Sequence, residues 1–275
     1  MNIKILAAAV TTLALTAFPA LSATTVSSFS SGYWSKTDMR GNGEASLVDL
    51  TGAGGNLEAN VPLGTGAAKL QTGLSNNDKA QVGMFGAFGT VGDFLNGGRI
   101  SYDYYNEPGN SNQAAAPSFK MIVVNPANPL GTPTQFVYEP YWNINPGVST
   151  NPTPGVWTSQ TITGGSGLLW HTGFAGDGNQ AGGGNLGKTM GDWGTHFGLD
   201  LTDALIIGFA MGIGTYNQGV TAYFDNLSIN TGNFADTFDF EVSVVPLPAA
   251  LPLYGAGVAA LGLMGWRRKR KQQAA

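Results

Sequence analysis

The chain has no cysteine in its 275 residues, so disulfides, thiol nucleophiles and cysteine-held metals are excluded. Histidine is nearly as scarce. His171 and His196 stand 25 positions apart, with no third ligand at metal spacing, and each reads as an ordinary loop or strand-end residue. The glutamates are Glu44, Glu58, Glu107, Glu139 and Glu241, and no E-x-D-x-x-E-type cluster pairs them for acid–base work. Runs of Glu, Lys and Leu are missing too, whereas 41 glycines and 14 prolines are spread widely. That balance disfavours helices and favours many short strands joined by turns.

Positive charge is scarce where it would matter for nucleic acid. Between residues 24 and 243 there are seven basic side chains against all 17 acidic ones, a balance of −10 hidden within a whole-chain charge of −4. A phosphate backbone demands cationic contacts, so nucleic acid is an unsuitable partner. Divalent cations and neutral sugars remain compatible with such a surface.

One motif invites a nucleotide. "GGGNLGKT" (182–189) satisfies G-x-x-x-x-G-K-[ST] through Gly182, Gly187, Lys188 and Thr189. A phosphate-binding loop needs a buried strand before it and a helix starting at its Lys-Thr. Upstream stands GFAGDGNQAG, which has no apolar run, and downstream MGDWGTHFG, whose glycines oppose a helix. The match is expected to be fortuitous, with no nucleotide bound.

The two ends differ from the middle. The first 23 residues carry Lys4, an apolar stretch from Ile5 to Phe18, Pro19 and then small residues, the pattern of a cleaved signal peptide with signal peptidase as partner. Val244 to Trp266 holds no charge and is followed by Arg267, Arg268, Lys269, Arg270 and Lys271. About 20 helical residues cross a bilayer, so a single transmembrane helix is expected, its basic end in the cytoplasm. Val245, Pro246, Leu247, Pro248 and Ala249, followed by that glycine-bearing apolar segment and basic cluster, resemble the VPLPA form of the PEP-CTERM sorting signal. Leu247 stands where the commoner motif has Glu. The resemblance covers about 30 residues; it implies export through the inner membrane of a Gram-negative bacterium and recognition by an exosortase.

The resulting partition is a signal peptide (1–23), an ectodomain (24–230), a stalk (231–244) and a sorting signal (245–271). The ectodomain is expected to be all-β, an antiparallel sandwich. Strands are expected at 30–35, 44–50, 67–72, 99–106, 119–125, 134–142, 156–163, 167–173, 205–213 and 220–230. In RISYDYYN, Ile100, Tyr102 and Tyr104 share one face. Half of the prolines fall in 125–154, which reads as long loops around an edge strand carrying YEPYW. The best short helix is LDLTDAL (199–205), with Thr202 as its cap. "VGDFLNGGRISYDYYN" and "GVTAYFDNLSIN" resemble strands of jelly rolls of the concanavalin-like and galactose-binding-like kinds.

Among chemistry-bearing residues, Glu139 sits between Tyr138, Pro140, Tyr141 and Trp142; it is either an acid of raised pKa or a solvent-facing strand residue. Tyr141, Trp142, Trp157, Trp170 and Trp193 offer flat faces on which sugars stack, although at least three of the five are expected to be buried as core. Glu139, Tyr141, Trp142, Trp157 and Trp170 form the candidate ligand set. Asp225 and Asn226 either hold a structural Ca²⁺ or close a turn; no other cofactor is expected. The reading is a non-enzymatic cell-surface or extracellular-matrix protein interacting with polysaccharide. A glycan-active hydrolase or lyase on the same sandwich, or a purely structural surface protein, is the alternative.

Overall fold

The computed structural model describes residues 22–30, 33–128, 131–146, 148–180 and 187–243. Residues 1–21 of the expected signal peptide, the VPLPA motif, the expected membrane helix and the basic cluster Arg267 to Lys271 lie outside the described residues. Among the described residues no helix is long and apolar enough to cross a membrane.

Two sheets form the body. The first contains β1 (Thr24–Val26), β3 (Glu44–Asp49), β4 (Gly66–Gln71), β6 (Arg99–Asn106), β9 (Trp157–Thr163), β12 (Thr221–Asn230) and β13 (Ala235–Phe240). The second runs in the order β10 (Leu169–His171), β8 (Thr134–Tyr138), β7 (Ser118–Val124), β11 (Leu205–Ile213), β5 (Ala80–Phe85), β2 (Ser35–Lys36). In the first sheet β12 pairs with β6 on one edge; along its other edge β4 takes the first half and β13 the second. Every pairing is antiparallel except β1 with β13, which is parallel. The chain crosses repeatedly from one sheet to the other, in the jelly-roll manner.

The core between the sheets follows from alternation. Ile100, Tyr102 and Tyr104 of β6 face it, as do Phe119, Met121 and Val123 of β7 and Phe209, Met211 and Ile213 of β11. Each such side chain contributes about 1.5–3 kcal/mol by leaving water.

Several expectations need correction. The described part of the expected stalk (231–244), residues 231–243, does not form one: β13 is a sheet strand, and Phe238 and Phe240 are fully buried with Trp34 edge-on to both, at 5.4 and 5.3 Å. The strand carrying YEPYW is not an edge; β8 lies between β7 and β10 and ends at Tyr138, after which Pro140–Asn143 forms a helical turn, α3, following the short helices α1 (Gly55–Ala59) and α2 (Val91–Leu95) earlier in the chain. Proline at the first helical position is favourable, since its missing N–H would have no partner there. β5 is an unexpected strand, because Gly83 masks an alternation of Ala80, Val82 and Met84 into the core.

MGDWGTHF does form a helix, α4 (Met190–Phe197). Its two interior glycines cost about 1 kcal/mol each in propensity. Opposing them is a capping box in which Thr189 Oγ1 accepts from the Asp192 amide at 3.1 Å and Asp192 Oδ2 accepts from the Thr189 amide at 3.2 Å. Burial of Met190 and Trp193 adds more. The glycines also allow close approach: a Cβ on Gly191 would lie 2.8 Å from the Gly164 carbonyl oxygen. The next helix, α5 (Leu199–Thr202), starts from Gly198, so Thr202 is its last residue and not its N-cap.

Candidate functional site

Alternation that sends one face of the six-stranded sheet into the core leaves the other face to line a trough. On β7 the outward residues are Ser118 and Lys120, on β8 Gln135 and Val137 with Glu139 just beyond, and on β10 Trp170 with Thr172 just beyond. Asp38 and Arg40 follow β2, Lys79 precedes β5, and Gly214 to Asn217 follow β11. Together they enclose about 460 Å³ with lining residues in or adjoining each of the six strands. Five interstrand gaps of about 4.8 Å make the sheet itself on the order of 24 Å wide.

The floor depends on small residues. Ala210 of β11 is paired with Lys120 on one side and Gly83 on the other, and Gly212 with Gln81. A side chain on Gly212 would meet Lys120 Nζ at 3.1 Å. With β11 so low, the lysine lies across it and donates to Gln81 Oε1 at 2.5 Å. Burial, and then the charge of Lys79, bring the Lys120 pKa down to about 7. Beside it Asp38 accepts from Arg40 Nε at 2.8 Å and from Lys79 Nζ at 2.5 Å. Burial works to raise the Asp38 carboxyl, but those two hydrogen bonds and charges outweigh it and hold it low.

At the other side of the trough Glu139 accepts from Trp170 Nε1 at 3.0 Å. Burial raises its pKa, against a hydrogen bond from Trp170, one from Tyr141 and the charge of Lys120. Glu139 is therefore neither a solvent-facing strand residue nor one of a close, free carboxylate pair, because the other carboxylate lining the trough is Asp38, already ion-paired.

Of the candidate ligand set, Glu139, Tyr141 and Trp170 are brought together in this trough. Trp142 is on α3 beside Tyr141, its ring 5.4 Å away. Trp157 is separated from them: it is on the other sheet, 5.7 Å from the Tyr105 ring, with its Nε1 donating to the Leu57 carbonyl oxygen. Nor are most of the five aromatics core. Only Trp193 is buried, while Tyr141, Trp142, Trp157 and Trp170 are half-buried.

Asp225 is fully buried, and its two oxygens accept from the Leu63 and Phe240 amides, each at 3.0 Å. Burial lifts its pKa to about 7 against those bonds. Asn226, at φ 50°, occupies the bulge where β12 shifts register against β6, and donates to Asp103 Oδ2 at 2.8 Å. These are the contacts of a pair tying a bulge to its neighbours. Among the described residues no group of three or more His, Asp or Glu is placed to hold a metal.

His171 is a fully buried strand residue ringed by Trp193, Phe136 and Phe197, while His196 is exposed and meets Asp177 Oδ2 at 3.1 Å. In the GGGNLGKT motif a helix does begin after Lys-Thr, contrary to expectation. The residues are nonetheless committed elsewhere: Thr189 caps α4, and Lys188 Nζ lies 4.3 Å from the Trp193 ring centroid. Gly182 lies outside the described residues.

Sequence reasoning missed Lys120, Asp38, Lys79 and Gln135. For Lys120 a signal existed: it is a lone charge inside the apolar run FKMIVV, at a position whose neighbours alternate into the core. The others are unremarkable until the sheet order brings them together. Tyr216 was also passed over; it stands exposed between trough-lining Thr215 and Asn217 with φ 65°, an uncommon conformation for a bulky side chain.

No family model and no curated protein matches the chain. Among solved structures it is similar to the family 11 carbohydrate-binding module of the cellulosomal cellulase Lic26A-Cel5E of Clostridium thermocellum. The identity is 14% and the TM-score 0.39, over 77% of this chain and 95% of that one. A family 11 module from Clostridium thermocellum in complex with a β-1,3-1,4-mixed-linked tetrasaccharide gives 14% identity and 0.39, over 74% and 92%. TmCBM61 in complex with β-1,4-galactotriose gives 11% and 0.30, over 72% and 87%.

Proposed function

We propose that this chain is an exported, non-enzymatic β-sandwich protein of the cell surface or extracellular matrix, that it takes polysaccharide in the trough of its six-stranded sheet, and that an exosortase sorts it by its C-terminal tail. The trough carries the proposal. Its lining runs from β10 through β8 and β7 to the segments flanking β11, β5 and β2, a groove that suits a chain-like ligand better than a small molecule. Its lining combines half-buried rings, Tyr141 and Trp170, with amides, hydroxyls and charges that can satisfy sugar hydroxyls.

Affinity electrophoresis of the purified protein through gels containing soluble polysaccharides tests this. Retardation is expected, with Trp170→Ala and Tyr141→Ala each weakening it about tenfold, a typical cost for removing a central aromatic anchor. Trp157→Ala, on the other sheet, should leave it unchanged. Retardation that survives both trough variants would overturn the reading. For the tail, the mass of the mature C-terminus decides: an end near Pro248 supports processing, and an intact Arg/Lys cluster defeats it.

One observation favours the hydrolase as a second reading. The trough holds two carboxylates with pKa values moved in opposite directions, Glu139 up and Asp38 down, and such divergence marks acid–base pairs. Binding is preferred because Asp38 is occupied by Arg40 and Lys79 and so is poorly placed to activate water. Release of reducing ends from a retained polysaccharide, abolished by Glu139→Gln, would reverse that preference.

A further inference from the structure

Resting on the reading of the trough as a polysaccharide site, we infer that its ligand is an anionic polysaccharide, with a negatively charged group seated on the Lys120 ammonium at the floor.

Three observations lead there. Cations are concentrated in the trough: Arg40, Lys79 and Lys120 are three of the seven basic residues between 24 and 243, whereas only Asp38 and Glu139 of the 17 acidic residues line it. Below about pH 7, where Lys120 holds its proton, a body of balance −10 thus presents its ligand with a local excess of one positive charge. Second, the excess is not dispersed. Asp38 is shared by Arg40 and Lys79, but Lys120 makes no salt bridge among the described residues. Among the described residues its ammonium donates one hydrogen bond, to the neutral amide of Gln81, and an ammonium has three protons to donate. The two carboxylates acting on it from a distance are both engaged elsewhere, Glu139 by Trp170 and Tyr141 and Asp38 by Arg40 and Lys79. Third, Lys120 is only 4% exposed, yet it faces the trough and not the core. A desolvated cation without a partner anion is costly to keep, and a ligand carboxylate or sulfate arriving from the trough would supply that partner.

Uronate and sulfate groups share this chemistry, so the test separates them. Binding of the full chain is measured to polygalacturonate, its methyl ester (the same backbone without charge), a sulfated galactan and an uncharged galactan. One of the two acidic polymers should bind at least about tenfold tighter than its uncharged counterpart, with the advantage shrinking in high salt. Lys120→Met should abolish the advantage, while Trp157→Ala, on the other sheet, should keep it; Lys79→Gln should reduce it in part. Equal binding of charged and uncharged forms, or an advantage that survives Lys120→Met, would overturn the inference while leaving the polysaccharide reading intact. Binding of none of the four would overturn both.

Discussion

Replacing Lys120 by methionine should make the protein more stable at pH 6, by an amount that falls as pH rises. In an unfolded chain a lysine titrates near 10.5, whereas burial and then Lys79 bring Lys120 to about 7 in the fold. Each pH unit between the two states is worth about 1.36 kcal/mol, so keeping this group charged costs the fold on the order of 5 kcal/mol at pH 6. The sign follows from proton counting. Between about pH 7 and 10.5 the unfolded chain binds the proton that the folded one has released, so wild-type stability rises with pH across that window. Methionine keeps the stem's packing but gives up the bond to Gln81, about 1 kcal/mol. The loss of Lys120 also leaves Glu139 without its attracting charge, which raises the carboxyl further and trims the gain again. A net stabilisation of about 2–4 kcal/mol at pH 6 remains; above pH 10.5, where neither state holds the proton, only the lost Gln81 bond is left and wild type should be the more stable by about 1 kcal/mol. Urea unfolding of both proteins at pH 6, 8 and 10.5 measures it, with equal m-values confirming that the unfolded states match. Equal stabilities at pH 6, or a gap that does not close with pH, would refute the claim that Lys120 is a desolvated cation.

Two further outcomes are expected. Gly191→Ala should destabilise by about 1–3 kcal/mol, although alanine is the better helix former, because its Cβ must displace the Gly164 carbonyl; Gly165→Ala, in open space, is the neutral control in the same thermal melts. Adding calcium or a chelator should leave the melting temperature unchanged, since both Asp225 oxygens already accept backbone amides; a rise of several degrees with calcium would restore the metal reading of Asp225 and Asn226.

Much of the fold was legible because strand alternation is a local property. RISYDYYN and LIIGFAMGI become β6 and β11 with the boundaries their patterns imply, and Ile100, Tyr102 and Tyr104 face the core as expected. Local rules failed where a distant partner decided the outcome. The glycines of MGDWGTHF are unfavourable by propensity, but they are what lets α4 press against Gly164. The segment after Asn230 looks like a tether until Trp34, some 200 residues earlier, is found holding Phe238 and Phe240.

The candidate site divides in the same way. Composition alone established an acidic body without thiol chemistry; sequence pattern nominated Glu139 and Tyr141, because aromatics flanking a lone glutamate are visible in one stretch of chain, and Trp170 as a flat face for a sugar. Nothing local could show that Trp157 belongs to the opposite sheet, or that Asp38, Lys79 and Lys120 share a floor. Those facts depend on strand order, and strand order is set by which apolar faces bury together. Sequence decides which side chains leave each sheet face; only the packed sandwich decides which of them meet.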